Sequence, residues 1–219
     1  MQLISFPRTL LFGALFSLVI GTFSGAQVPD SSEGSVINSS AASSASYTSQ
    51  LRNRISWSGF PLKVYFIRDE NYTEKCEQIA LDAFDRWVSA TNGFVQYEVV
   101  DSKAQAKITV RFNPDSNNGH TMIHFWKGRI KGADINIGVM RGWSNDIECT
   151  AAHEFGHALG IDGHSDSRGD LMYPSHMMGS SFRISERDLQ TFASIYPSFG
   201  KRRAGRNGNE RGAGFSGRG

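Results

Sequence analysis

The feature that most constrains this chain is the run His153-Glu154-Phe155-Gly156-His157-Ala158-Leu159-Gly160-Ile161-Asp162-Gly163-His164. Histidines four apart on a helix stand one turn above the other on a single face. From that face two neutral imidazoles reach one Zn²⁺ at about 2.0–2.1 Å. Glu154, next to the first of them, can face an open coordination position, take a proton from an activated water and pass it to a leaving amine. Gly160 lets the chain leave the helix and swing back, so a third ligand must come from beyond its end. His164 is placed for that role, and Asp162 is the rival, since carboxylates also bind zinc.

Downstream lies Asp170-Leu171-Met172-Tyr173-Pro174. Together the two segments resemble the metzincin metallopeptidases and, within them, the matrixins, over roughly Trp57 to Pro197. The resemblance implies an α/β (α+β) zincin-like domain. Its parts would be a twisted, mostly parallel five-stranded sheet with an antiparallel edge strand, an active-site helix and a small C-terminal subdomain with a Met turn and a final helix. It also implies a zinc endopeptidase with one catalytic Zn²⁺, in which Met172 forms an apolar floor beneath the ion. The family pattern would put the third histidine at position 163, where this chain has glycine. The eight-residue interval from His164 to Met172 matches the family's spacing from third ligand to methionine, so the extra residue lies before His164. No structural zinc or calcium ligands of the animal enzymes are recognisable. The segment ahead of the domain holds no cysteine for a thiolate latch.

The two ends differ from the middle. Residues 1–26 carry Arg8, an apolar stretch and a small-residue exit, Ser24-Gly25-Ala26, the pattern of a cleavable signal peptide. Export is therefore expected, with no membrane span after cleavage. Residues 27–55 are rich in Ser, Ala, Asn and Gly and read as a linker or short pro-segment. The catalytic domain is expected over 56–198. Beyond it, 199–219 form a Gly/Arg-rich tail in which six cations stand against Glu210, while the whole chain carries only +2. That tail holds too little apolar surface to fold, so disorder is expected and nucleic acid is not an expected partner. The expected partner is a protein or peptide substrate, bound by a monomer.

Within the domain, Leu62–Ile67 reads as a strand, and Cys76, Ile79, Ala80, Ala83, Trp87 and Val88 recur at helical spacing behind a cap at Asn71 or Thr73. Residues 94–100 and 107–112 are further strands, and 121–126 with 129–139 form a hairpin turning at Lys127-Gly128. Asn145 with Glu148 predicts a capping box on the histidine helix, and Ser185 with Asp188 another on the last helix, which Pro197 would stop. The edge strand 121–126 suits main-chain pairing with an extended peptide. Its His120 and His124 are some 13 Å apart on a strand, too far to hold one ion jointly, so they are read as surface or packing residues. Met177 and Met178 suggest an apolar pocket beside the metal, and His176 a loop position. An even cysteine count in an exported chain points to a disulfide between Cys76 and Cys149, the alternative being two free thiols. Cys149 is about 12 Å of helix from His157, too far to share its ion.

Overall fold

The computed structural model describes residues 45–175 and 182–212, the last six by their backbone alone. The strands are β1 (Asn53–Arg54), β2 (Leu62–Phe66), β3 (Tyr97–Val99), β4 (Ile108–Asn113), β5 (His120–Trp126), β6 (Arg129–Gly138) and β7 (Ile161–Asp162). The helices are α1 (Glu74–Ala90), α2 (Ser144–Ala158), α3 (Glu186–Ile195) and α4 (Pro197–Gly212). A five-stranded sheet runs β3-β2-β4-β6-β5; its inner pairings are parallel, and β5 joins β6 antiparallel at one edge. This is the expected mixed α/β architecture.

Side-chain alternation builds the sheet. Leu62, Val64 and Phe66 on β2, and Ile108, Val110 and Phe112 on β4, are buried, while Lys63 and Arg111 face out. The helix-covered face is stitched by aromatic stacking. Phe66 and Phe112 lie 6.2 Å apart, Phe66 and Phe84 6.3 Å, and Phe84 stacks on Phe155 at 4.1 Å. Lys127 and Gly128, both at positive φ, turn the β5–β6 hairpin where expected.

Helix α1 begins at Thr73, whose hydroxyl accepts from the Cys76 amide, and carries Glu74 and Glu77 in its first turn, where negative charge complements the helix dipole. It ends in a Schellman arrangement: Asn92 takes positive φ, its amide bonds Ser89 O, and the Gly93 amide bonds Val88 O. The box on α3 forms as expected, Ser185 and Asp188 satisfying each other's amides.

Four expectations are corrected. On α2, Trp143 is the N-cap without a side-chain bond, and no capping box forms; Glu148 is instead held by Arg86 at 2.5 Å. Cys76 and Cys149 are both free thiols rather than a disulfide. Arg86 pairs with Glu148 and Trp87 Nε1 donates to Ala152 O, so Cys149 lies opposite the far end of α1. Cys76 is ten residues earlier, about 15 Å along the axis, against the 7 Å that a disulfide can span. Pro197 does not end the helical region. It opens α4, where a missing amide costs nothing, so the expected disordered tail is helical through Gly212, and Phe199 is buried against Phe94 and Phe192. Finally, residues 47–55 are not a linker. They form a strap in which Tyr47 and Ile55 are buried and β1 pairs antiparallel with β7.

Candidate metal centre and catalytic cleft

Helix α2 delivers His153 and His157 to one face, as their spacing requires. The helix closes at Leu159, and Gly160, at φ +107°, turns the chain into β7. His164 then returns toward the helix. The Nε2 atoms of His153 and His157 lie 3.1 Å apart, and those of His157 and His164 lie 3.3 Å apart. A tetrahedral ion with Zn–N bonds of about 2.0–2.1 Å needs its nitrogens about 3.3–3.4 Å from one another. Those two pairs are close to that spacing, and all three ligand atoms lie within 4.8 Å of one another. Among the described residues, they are the group of possible metal ligands whose ligating atoms converge in this way.

The rings are aimed from behind. His153 Nδ1 donates to Leu171 O at 2.8 Å, and His157 Nδ1 donates to Ile161 O at 2.7 Å. A carbonyl only accepts, so each Nδ1 carries the proton and each Nε2 presents a lone pair. Burial holds His157 down to about 4 and lowers His164 as well, which keeps both neutral at pH 7 and ready to ligate.

Asp162, the rival ligand, lines the same cleft but has both oxygens engaged by other side chains. Arg52 Nη2 donates to its Oδ1 at 2.6 Å and Asn53 Nδ2 to its Oδ2 at 2.6 Å. Glu154 is buried beside the histidines, and desolvation pushes its carboxyl up to about 7, opposed by a 2.6 Å bond from the Thr121 hydroxyl. Met172 is fully buried. A Cβ on Gly156 would come within 2.5 Å of its sulfur, so the bare helix turn between the two histidines rests on the methionine.

The loop carrying Leu171 and Met172 is fixed by Asp188, a carboxylate with no solvent exposure. It accepts from the amides of Leu171 at 2.9 Å and Ser185 at 2.8 Å, and from the Tyr47 hydroxyl at 2.6 Å. Burial raises its pKa, and these donors oppose the shift. Tyr47's amide also donates to Thr191 Oγ1 at 3.0 Å. Ser165 and Asp170 brace the same loop by a hydrogen bond.

An open cleft of about 510 Å³ runs past the histidines, lined among others by Arg52, Thr121, Ile123, Phe125, Glu154 and His164. One wall is β5, the sheet edge, where Met122, Phe125 and Trp126 are exposed. His120 lines the cleft, whereas His124 pairs with Asp134 at 2.7 Å on the surface. His176, Met177 and Met178 lie outside the described residues. Sequence reading missed Thr121, Arg52, Asn53, Tyr47 and Asp188. Only Asp188 had a local signal, its capping box, and that gave no hint of its bonds to the Met172 loop.

Three converging imidazoles on and after a helix, with a buried carboxylate beside them at a sheet edge, define a metallopeptidase-type domain. Residues 57–197 match the family model described as Matrixin, and the chain belongs to this family of zinc-dependent peptidases. It is 30% identical over 148 residues to interstitial collagenase of Bos taurus, an alignment covering 59% of this chain and 31% of that protein. It is 29% identical over 150 residues to neutrophil collagenase of Homo sapiens, with the same 59% and 31% coverage. A shorter stretch of 46 residues, 21% of this chain and 7% of the relative, is 44% identical to the 72 kDa type IV collagenase of Gallus gallus. The chain thus spans about a third of the length of the collagenases it matches.

Proposed function

We propose that this chain is an exported zinc metalloendopeptidase that cleaves internal peptide bonds, with Glu154 as the catalytic base. The observation that carries the reading is the convergence of three Nε2 atoms beside that buried carboxylate. His153, His157 and His164 would hold one Zn²⁺, which when bound supplies a Lewis acid that polarises the scissile carbonyl and acidifies water.

The chain's own groups do the rest. Glu154, with its carboxyl raised to about 7, is matched to accept a proton near neutral pH and return it to the leaving amine. Thr121 holds one carboxylate oxygen and so limits the rotamers of the base. An extended peptide would add to the free edge of β5, so its backbone is held by main-chain hydrogen bonds while its side chains meet alternating positions along the wall. Met172 would support the metal from below without ligating it. Export rests on the signal-like residues 1–26, outside the described region; among the described residues no helix is long and apolar enough to cross a membrane.

The test uses the purified full chain and an unfolded protein substrate. Zinc content is expected near one per chain, and a chelator is expected to stop cleavage. Glu154→Ala should lower kcat by roughly 10²–10⁴-fold while the zinc stays bound. Cleavage at the wild-type rate by that variant would refute the mechanism.

A further inference from the structure

The loop between Gly160 and His164 carries two groups able to ligate zinc, Asp162 and His164, two residues apart. What separates them is the strap. Asn53 stands opposite Asp162 in the β1–β7 ladder, and the Arg52 amide donates to Asp162 O at 2.8 Å. The side chains then take one carboxylate oxygen each, both at 2.6 Å, so the buried carboxylate has its charge paired and an acceptor site filled on either oxygen. The strap also packs directly on the loop backbone, since any Cβ at Gly163 would collide with Gln50 O. His164, exposed in the cleft, meets His157 Nε2 at 3.3 Å.

We propose that Arg52 and Asn53 act as positioning residues that decide which residue completes the metal centre: by holding both oxygens of Asp162, they assign the third ligand position to His164. This rests on the zinc reading above. A carboxylate freed from the clamp stays in the same loop and, being anionic, competes for the cation with the neutral imidazole. The strap therefore sets ligand identity, and with it the charge of the metal site, from a segment that touches no ion.

Cobalt(II) in place of zinc reports the ligand set by its visible absorption, and competition with a chromophoric chelator reports affinity without any activity measurement. In the full chain, Arg52→Ala with Asn53→Ala is expected to keep Co²⁺ and Zn²⁺ bound, since the site gains a ligand option and loses none, while its ligand set changes. The cobalt bands should shift as oxygen enters the ligand set. Adding Asp162→Asn to that variant should return the bands to their wild-type position. His164→Ala should weaken binding more in the wild-type strap than in the released one, where Asp162 substitutes for it. Asn53→Ala alone keeps the ion pair, and hence the fold, and should give the same shift in smaller measure. Unchanged cobalt bands in the strap variants, or a shift that persists with Asp162→Asn, would overturn the proposal. Wild-type zinc content and cleavage, measured alongside, stay normal if the strap inference alone fails; a wild-type chain that takes up no metal defeats both readings.

Discussion

Helices α1 and α2 lie side by side, yet they are buried in different ways. Helix α1 presents a stripe to the core, Ala80, Ala83, Phe84 and Trp87, and keeps charged residues such as Glu74 and Lys75 in solvent. Helix α2 has no such division: from Ala151 to Ala158 every residue is buried, including His153, Glu154 and His157. An amphipathic helix needs only its own pattern and one apolar surface. A helix that buries polar groups needs a partner for each, and those of α2 arrive from β5, β7 and the Met172 loop. One helix is specified locally, the other by most of the domain.

The sharpest way to break this contrast is His157→Ala, which should take bound zinc from about one per chain to none and abolish cleavage, as metal analysis would show. Phe84→Ala attacks the other helix. It removes a ring stacked on Phe155 and should cost about 3–5 kcal/mol in urea unfolding while zinc stoichiometry holds.

Titration distinguishes the helices too. In metal-free protein, Glu154 rises from 4.5 unfolded to about 7 folded, so its contribution is full below 4.5 and is lost as pH climbs through 7. His157 falls from 6.5 to about 4, so its contribution is present above 6.5 and is lost as pH drops toward 4. Glu154→Gln should therefore stabilise the metal-free chain at pH 8, by on the order of a few kcal/mol, and not at pH 4. Thermal melts across that range decide it.

Gly156→Ala should cost about 1–3 kcal/mol, because the new methyl meets Met172 Sδ at 2.5 Å and Trp87 at 2.9 Å. Smallest is Thr73→Ala, which removes the α1 cap for about 1 kcal/mol and should leave metal binding untouched.

What could be read from sequence follows the same division. The pairing of two histidines on one helix face, the hairpin turn at Lys127-Gly128, the strand alternation and the Ser185 box were legible because each is a short-range pattern with a fixed geometric meaning. The strap was not. Tyr47, Arg52 and Asn53 sit in a serine-rich stretch without periodicity, and their roles depend on Asp162 and Asp188, more than a hundred residues away. The disulfide expectation failed for a related reason, since a count of cysteines carries no information on where two helices cross. Pro197 was read as a stop because its effect on the preceding helix is local, whereas the burial of Phe199 that anchors α4 is not.

The strap also has a consequence in time. Tyr47 is held by Thr191, 144 residues along the chain, and Arg52 by Asp162, 110 residues along. During synthesis the first of these contacts has no counterpart until α3 is made. Closing so long a loop is slow beside the local folding of α1 or the hairpin. The segment that emerges early is thus fastened among the last, and a ribosome-bound chain that has not yet made α3 has the histidines without the brace that Tyr47 and Asp188 provide.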